Sequence, residues 1–269
     1  MDDFISGATL ANRADSVFSR TISQYEMPVY HNIDIKSGYS IFCKTDNIYQ
    51  LFNLLNIRSD LSDLKIITHE SDYAITKDIF DLKPANVEKG YAINVNYDHK
   101  NLIPIPLGIA NSYCGITLKV NNLNSLKYSP TKLLYINHRV NTNPEERQWI
   151  YDYFSDKEWC TIKTPNLSLE EYKIDLDDHK FMLCPNGNGI DTHRLWECLY
   201  HKGIIPVIES HVNYKMCELY PVLIVHSFKD LTEEFLKQKY HEIKSKDFDS
   251  EILSVDYIIN KIKNKEGWL

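Results

Sequence analysis

Between Pro185 and Glu197 the chain gathers the residue types that suit a phosphorylated ligand: Asn186, Gly187, Asn188 and Gly189 in a turn, then Asp191, Thr192, Arg194 and Glu197. Glycine and asparagine accept positive backbone dihedrals and let a ligand approach the main chain. Asp191 or Thr192 is placed to cap a helix whose first amides would face an anion. Arg194, in the first turn of that helix, offers the same anion a planar, permanently charged fork. Glu197 follows three residues later on the same face, where a carboxylate suits a pair of sugar hydroxyls. A plainer reading stands beside this one: a structural turn, with Arg194 and Glu197 an ion pair along a helix. The spacing is neither a GxGxxG fingerprint nor a P-loop, since no Gly-Lys-Ser/Thr follows.

The elements that must position these residues are legible around them. FMLCPNGNGIDTHRLWECLYHKGIIPVIE, Phe181 to Glu209, reads as an apolar strand, a glycine turn, an amphipathic helix, a second glycine turn and a buried strand. That order is one β-α-β unit, and ligands of such sheets bind outside the carboxyl ends of the strands. From about Tyr39 the rest of the chain alternates in the same way. YSIFCKT, LKIITHE and NLIPIPLG read as strands or extended segments, with DNIYQLFNLLN a helix between the first two. The pattern dissolves between Asn111 and Thr131, which reads as a connection. It resumes with the strand KLLYINHR, a helix opened by Asn143-Pro144, the strand WCTIKT, the short helical stretch SLEEYKIDLDDH and the strand KFMLCP. PVLIVHS closes the set, and two amphipathic helices end the chain. The expected fold is α/β, two Rossmann-like halves facing a cleft. Residues 1–118 form the first domain and 119–245 the second, with a C-terminal helix in 246–269 packing back across them.

Composition narrows the class. The 269 residues are 43% hydrophobic and 25% charged, ordinary for a globular protein, and the net charge of -7 advertises no general affinity for nucleic acid. No apolar run approaches membrane-spanning length, and the N-terminus has neither a basic leader nor an apolar core. The six cysteines are scattered without CxxC pairs and the ten histidines without HExxH spacing. These patterns predict buried free thiols, no metal site and a cytoplasmic protein.

The residues also resemble a family. A strand ending in FxLCPxGxGxD, followed by xxRLWExLxxGxIPVI, is similar to the donor-binding half of GT-B glycosyltransferases, most of all the exostosin-like group. Here the pattern is Phe181, Leu183, Cys184, Pro185, Gly187, Gly189, Asp191, Arg194, Leu195, Trp196, Glu197, Leu199, Gly203, Ile205, Pro206, Val207 and Ile208. LLYINHRVNTNPEER looks like the first strand and helix of such a domain, and IPIPLGIAN like the end of the acceptor domain. The exostosin-like motif carries a basic residue where Asn186 stands. The resemblance implies transfer of a sugar from a nucleotide-sugar donor, taken to be a UDP-sugar, without a metal held by a DxD motif and without another cofactor. Arg194 and the Gly187–Thr192 loop would hold the diphosphate as its charge grows, with Arg139 a second cation, His138 assisting and Glu197 on the ribose. Some enzymes of this size come from viruses and bacteriophages, so a viral or phage member is one expectation.

An inverting transferase needs a base for the acceptor hydroxyl, and the candidates close strands of the first half. His69, Glu70 and Asp72 cluster after LKIIT, and Asp46 follows SIFCKT, where capping the next helix is its plainer role. Glu70 and Asp72 lead, undivided at this point. The acceptor is either a glycan or a hydroxymethylated base of phage DNA. The second choice would call for a basic groove from Lys36, Lys44 and the stretch Lys119 to Lys132. A non-catalytic nucleotide- or sugar-binding module is the alternative from another class, needing Arg194 and Glu197 but not Glu70 or Asp72. A dehydrogenase is disfavoured, because Cys43-Lys44-Thr45-Asp46 follows the first strand without glycines.

Overall fold

Apolar runs become parallel strands here because helices cover their faces, so strands such as Ser40–Lys44 and Leu64–His69 are buried almost end to end. The structure is a computed structural model that describes residues 3–23, 29–30, 33–114, 118 and 128–268. The chain divides into two units, one made of Met1–Gly115 with Ser250–Leu269 and the other of Ile116–Asp249. Each is α/β with a mainly parallel sheet, the fold class the alternation of elements predicts.

In the first unit the strands are β1 (Ser16–Arg20), β2 (Val29–Tyr30), β3 (Ser40–Lys44), β4 (Leu64–His69), β5 (Val87–Ala92) and β6 (Leu102–Pro104). They lie in the order β2-β1-β3-β4-β5-β6, all parallel except the edge strand β2. Helix α1 (Gly7–Arg13) precedes β1, α2 (Ile48–Asn56) follows β3 and α3 (Lys77–Phe80) follows β4. Five of these elements, α1, β1, β2, α3 and β5, escape a reading that begins its alternation at Tyr39. α1 and β1 are short and half polar, and β5, VEKGYA, carries Lys89 and Gly90 at its centre. Packing explains that glycine: a Cβ at Gly90 would lie 3.1 Å from Cε2 of Phe80, on α3. Burial against a neighbouring element thus overrides weak local propensity.

Gly108 shows a harder constraint. Its φ is +69°, and a Cβ there would lie 2.0 Å from the Ile5 carbonyl oxygen, whose other neighbour is the Ile109 N–H at 3.0 Å. Gly108→Ala therefore combines a left-handed backbone with a main-chain clash. It should destabilise the protein by about 2–4 kcal/mol in urea unfolding.

In the second unit β7 (Lys132–Ile136) leads through α4 (Pro144–Phe154) to β8 (Cys160–Ile162), and α5 (Leu169–Asp178) leads to β9 (His179–Leu183). α6 (His193–His201) connects β9 to β10 (Ile205–Glu209), β11 (Leu223–Val225) follows, and α7 (Glu233–Lys244) closes the unit. Helix starts match their sequence signals. Asn143 caps α4 with Pro144 in its first turn, and Ser168 and Glu171 form a capping box on α5. The five strands are parallel in the order β11-β10-β9-β7-β8. β8 and β9 therefore flank β7 on opposite sides. The chain winds one way from β7 and the other way from β9, and the loops leaving these two strands diverge. Such a switch point is where open α/β sheets form a ligand crevice. Leu134, Ile136, Ile150, Phe154, Phe181 and Val207 form the core beneath it.

The last segment belongs to the first unit. Helix α8 (Val255–Lys263) packs on α1, the Trp268 indole donates to the Pro104 carbonyl, and Lys265 pairs with Asp63 and Glu88. No helix among the described residues is long and apolar enough to cross a membrane.

Candidate functional site

The switch point of the second unit collects most of the donor-site residues that the sequence singles out. From the carboxyl end of β7 come Asn137, His138 and Arg139. Asn137 is buried; its amide donates to the Lys163 and Thr164 carbonyls at 3.4 and 3.1 Å, and its oxygen accepts from Arg194 Nη2 at 3.2 Å. His138 is buried too, with Nε2 at 3.4 Å from the Arg147 carbonyl and Nδ1 without a partner. Burial pushes its pKa down to about 4, and Arg147 and Arg194 push the same way. At neutral pH the ring is uncharged. As a neutral ring it brings no positive charge with which to assist Arg139. Arg139 is exposed, while its carbonyl accepts from the Thr142 hydroxyl at 2.9 Å.

From β9 comes the glycine loop. Gly187 N–H donates to the Gly189 carbonyl at 2.9 Å, closing a tight turn. Gly187 does not use a positive φ; what its missing side chain supplies is room, since a Cβ would lie 3.1 Å from Arg147 Nη2. Asp191, buried, accepts from the Trp196 indole at 2.9 and 3.0 Å and from Thr192 N–H at 2.8 Å. It anchors the start of α6 to the core, and the N-cap position itself falls to Thr192. Thr192 takes the N-cap position without a side-chain cap bond, and its hydroxyl is buried without a partner. The first turn of α6 thus keeps the partial positive charge of a helix start uncompensated by its N-cap side chain.

On α6, Arg194 and Glu197 form the ion pair of the plainer reading, Nη1 to Oε2 at 3.1 Å. The pair also sits in the site. Tyr172 of α5 supports both members: its hydroxyl donates to Glu197 Oε2 at 2.8 Å, and the Arg194 guanidinium lies 4.2 Å from its ring centre. Burial opposes the charge of Arg194, but Tyr172 and Glu197 outweigh it and hold the guanidinium charged.

The first unit places the candidate bases in unequal settings. Glu70 follows β4 with φ +59°, a left-handed backbone that a non-glycine residue holds only under constraint. Its carboxylate accepts from Thr21 N–H at 2.6 Å and from the Asn111 amide at 3.1 Å. Burial raises its pKa; the Thr21 N–H, Arg20, Asn111 and Lys44 oppose the rise without cancelling it. A Cβ on Gly7 would lie 2.5 Å from Glu70 Cγ, so the start of α1 packs directly on this side chain. His69 has both ring nitrogens engaged, Nδ1 accepting from Glu70 N–H at 2.7 Å and Nε2 3.1 Å from the Leu107 carbonyl. It positions Glu70. Asp72 is exposed. Asp46 is exposed and pairs with Lys44 at 3.1 Å; the next helix starts after Asn47, so Asp46 is not its cap.

Of the lysines weighed for a nucleic-acid groove, those described each lie beside a carboxylate. Lys36 pairs with Asp34, Lys44 with Asp46 and Lys132 with Asp178. Residues 119–127 of the stretch Lys119 to Lys132 lie outside the described residues. Sequence reasoning missed Asn137, Tyr172, Glu146 and Arg147, all of which touch the loop or the Arg194–Glu197 pair. None carries a local signal, because their role depends on elements brought together only by the sheet.

No protein-family model matches the chain, and no curated protein matches it. Among solved structures, the spinosyn rhamnosyltransferase SpnG is similar over 84% of this chain and 68% of its own, at 8% sequence identity and a TM-score of 0.38.

Proposed function

We propose that this chain is a glycosyltransferase that moves a sugar from a nucleotide-sugar donor to an acceptor hydroxyl. The observation that carries the reading is the convergence at the β7/β9 switch point. A glycine turn, a helix start left uncapped by its N-cap side chain, a charged Arg194 and a buried Glu197 meet where α/β sheets bind nucleotides. The diphosphate faces the α6 amides and Arg194, which stabilise the charge that develops as the sugar leaves. Glu197 takes the ribose hydroxyls. Glu70 is the base: its raised pKa brings a carboxylate closer to neutral pH, and Thr21, Asn111 and His69 fix its place. The resemblance of Phe181–Glu209 to exostosin-like donor domains supports the same assignment.

A screen of UDP-, GDP-, ADP- and CMP-sugars and their free nucleotides by thermal shift and calorimetry tests it. One nucleotide family should raise the melting temperature, as a ligand of the native state alone must. Silence across the panel with folded protein would sink the donor-site assignment. A ligand that binds while no sugar moves to any acceptor would favour the binding-module alternative.

A further inference from the structure

The first turn of α4 does something the donor reading does not require of it. Glu146 Oε1 accepts the Asn186 N–H at 2.9 Å, and Arg147 Nε donates to the Asn186 carbonyl at 2.7 Å. Consecutive residues of one helix thus hold both peptide groups of Asn186. Glu146 is itself fixed, its Oε2 accepting from the Asn143 amide at 3.0 Å. The Arg147 fork goes further. Nη2 donates to the Pro185 carbonyl at 3.2 Å, and Nη1 to the Arg139 carbonyl at 2.9 Å and to the Thr142 hydroxyl. One buried guanidinium therefore ties the loop leaving β9 to the loop leaving β7, the two loops that border the switch point. Gly187 leaves the room it needs.

The chemistry of these contacts matters as much as their number. The oxygens on Arg147 belong to carbonyls and a hydroxyl, so its hydrogen bonds spread its charge without neutralising it. Burial lowers its pKa and Glu146 opposes that, but an arginine stays charged in a protein. Glu146 bonds the same residue, so the clamp carries one charge of each sign and acts by holding shape. Lysine has no fork with which to bind both loops at once.

We propose that Glu146 and Arg147 are positioning residues for the diphosphate of a nucleotide ligand. They hold the turn at residues 185–189 in one shape, with the Asn186 and Gly187 amides already bonded, so that the loop meets the anion preformed. The proposal rests on the donor-site reading above.

Two measurements on the full chain test it. Hydrogen exchange on the ligand-free protein reads the clamp alone. Arg147→Lys and Glu146→Ala should speed exchange at Asn186 and Gly187 by about tenfold or more, roughly the worth of one lost hydrogen bond. Exchange in β9 and β10 should not change. Glu146→Gln keeps an acceptor oxygen and should stay close to wild type. Calorimetry with UDP, GDP, ADP and inorganic pyrophosphate then reads the ligand role. Whichever probes the wild type binds should bind about tenfold or more weakly to Arg147→Lys and Glu146→Ala, with Glu146→Gln restoring affinity. Unchanged exchange at Asn186 and Gly187 overturns the clamp whatever binds. Faster exchange with wild-type affinity overturns its ligand role while leaving the donor site intact. A wild type that binds none of the probes overturns the ligand role, and silence across the nucleotide-sugar screen overturns the donor-site reading with it. Should Arg147→Lys fail to fold, the contrast between Glu146→Ala and Glu146→Gln decides alone.

Discussion

With Glu70 as the proposed base, Glu70→Gln should lower sugar transfer by about 10²- to 10⁴-fold, the usual worth of a general base, while nucleotide affinity stays within about twofold of wild type. Glutamine keeps the size of the side chain and an oxygen for Thr21 N–H, but it cannot accept the acceptor's proton. The same proposed base should set the acid limb of the pH profile. Its pKa is raised by burial, so activity falls, as pH drops, at a higher pH than for an ordinary glutamate near 4.3. Stability carries the opposite mark. A raised folded-state pKa means that protonated Glu70 contributes stability, fully present below the unfolded pKa and lost as pH rises through the folded one. Glutamine mimics the protonated form. The unfolding free energy of Glu70→Gln relative to wild type should therefore grow across that window and level off above it. Steady-state rates and urea unfolding from acid to neutral pH check both limbs. Wild-type turnover in Glu70→Gln would remove Glu70 as base; the same result with loss of turnover in Asp72→Asn would pass the role to Asp72.

The second large effect is on the ligand. Arg194→Ala should weaken nucleotide binding by about 100-fold or more, the loss seen when one partner of a hydrogen-bonded charge pair is cut away. It also leaves Glu197, buried, with the Tyr172 hydroxyl in place of its ion pair. A further loss of about 1–3 kcal/mol of stability follows from that unpaired carboxylate. The double variant Arg194→Ala/Glu197→Gln separates the two, since a neutral residue 197 needs no counter-charge. It should recover stability and not affinity. Near-normal affinity in Arg194→Ala would leave the pair a structural one.

His138 and Glu70 show why sequence reading stops where it does. As residue types they are a possible cation and one of several carboxylates. Only the folded chain makes the first neutral, by burying it beside Arg147 and Arg194, and surrounds the second, by bringing Thr21 and Asn111 onto it from distant segments. A protonation state is set by what surrounds a group, and most of those surroundings are remote in sequence.

By itself the sequence determined the α/β class, the β-α-β unit around the glycine loop, and the starts of α4 and α5. Each of these follows from local periodicity and from capping residues a few positions apart. Tertiary structure alone decided the strand order that puts a switch point at β7 and β9, the strands β1 and β5, and the placing of the chain's end on the first unit. It also decided that Asp191 anchors Trp196 and that Glu146 and Arg147 hold Asn186. The reason is common to all of them. Weakly patterned elements and buried polar groups take their roles from partners far along the chain, and those partners meet only when the sheet closes the distance.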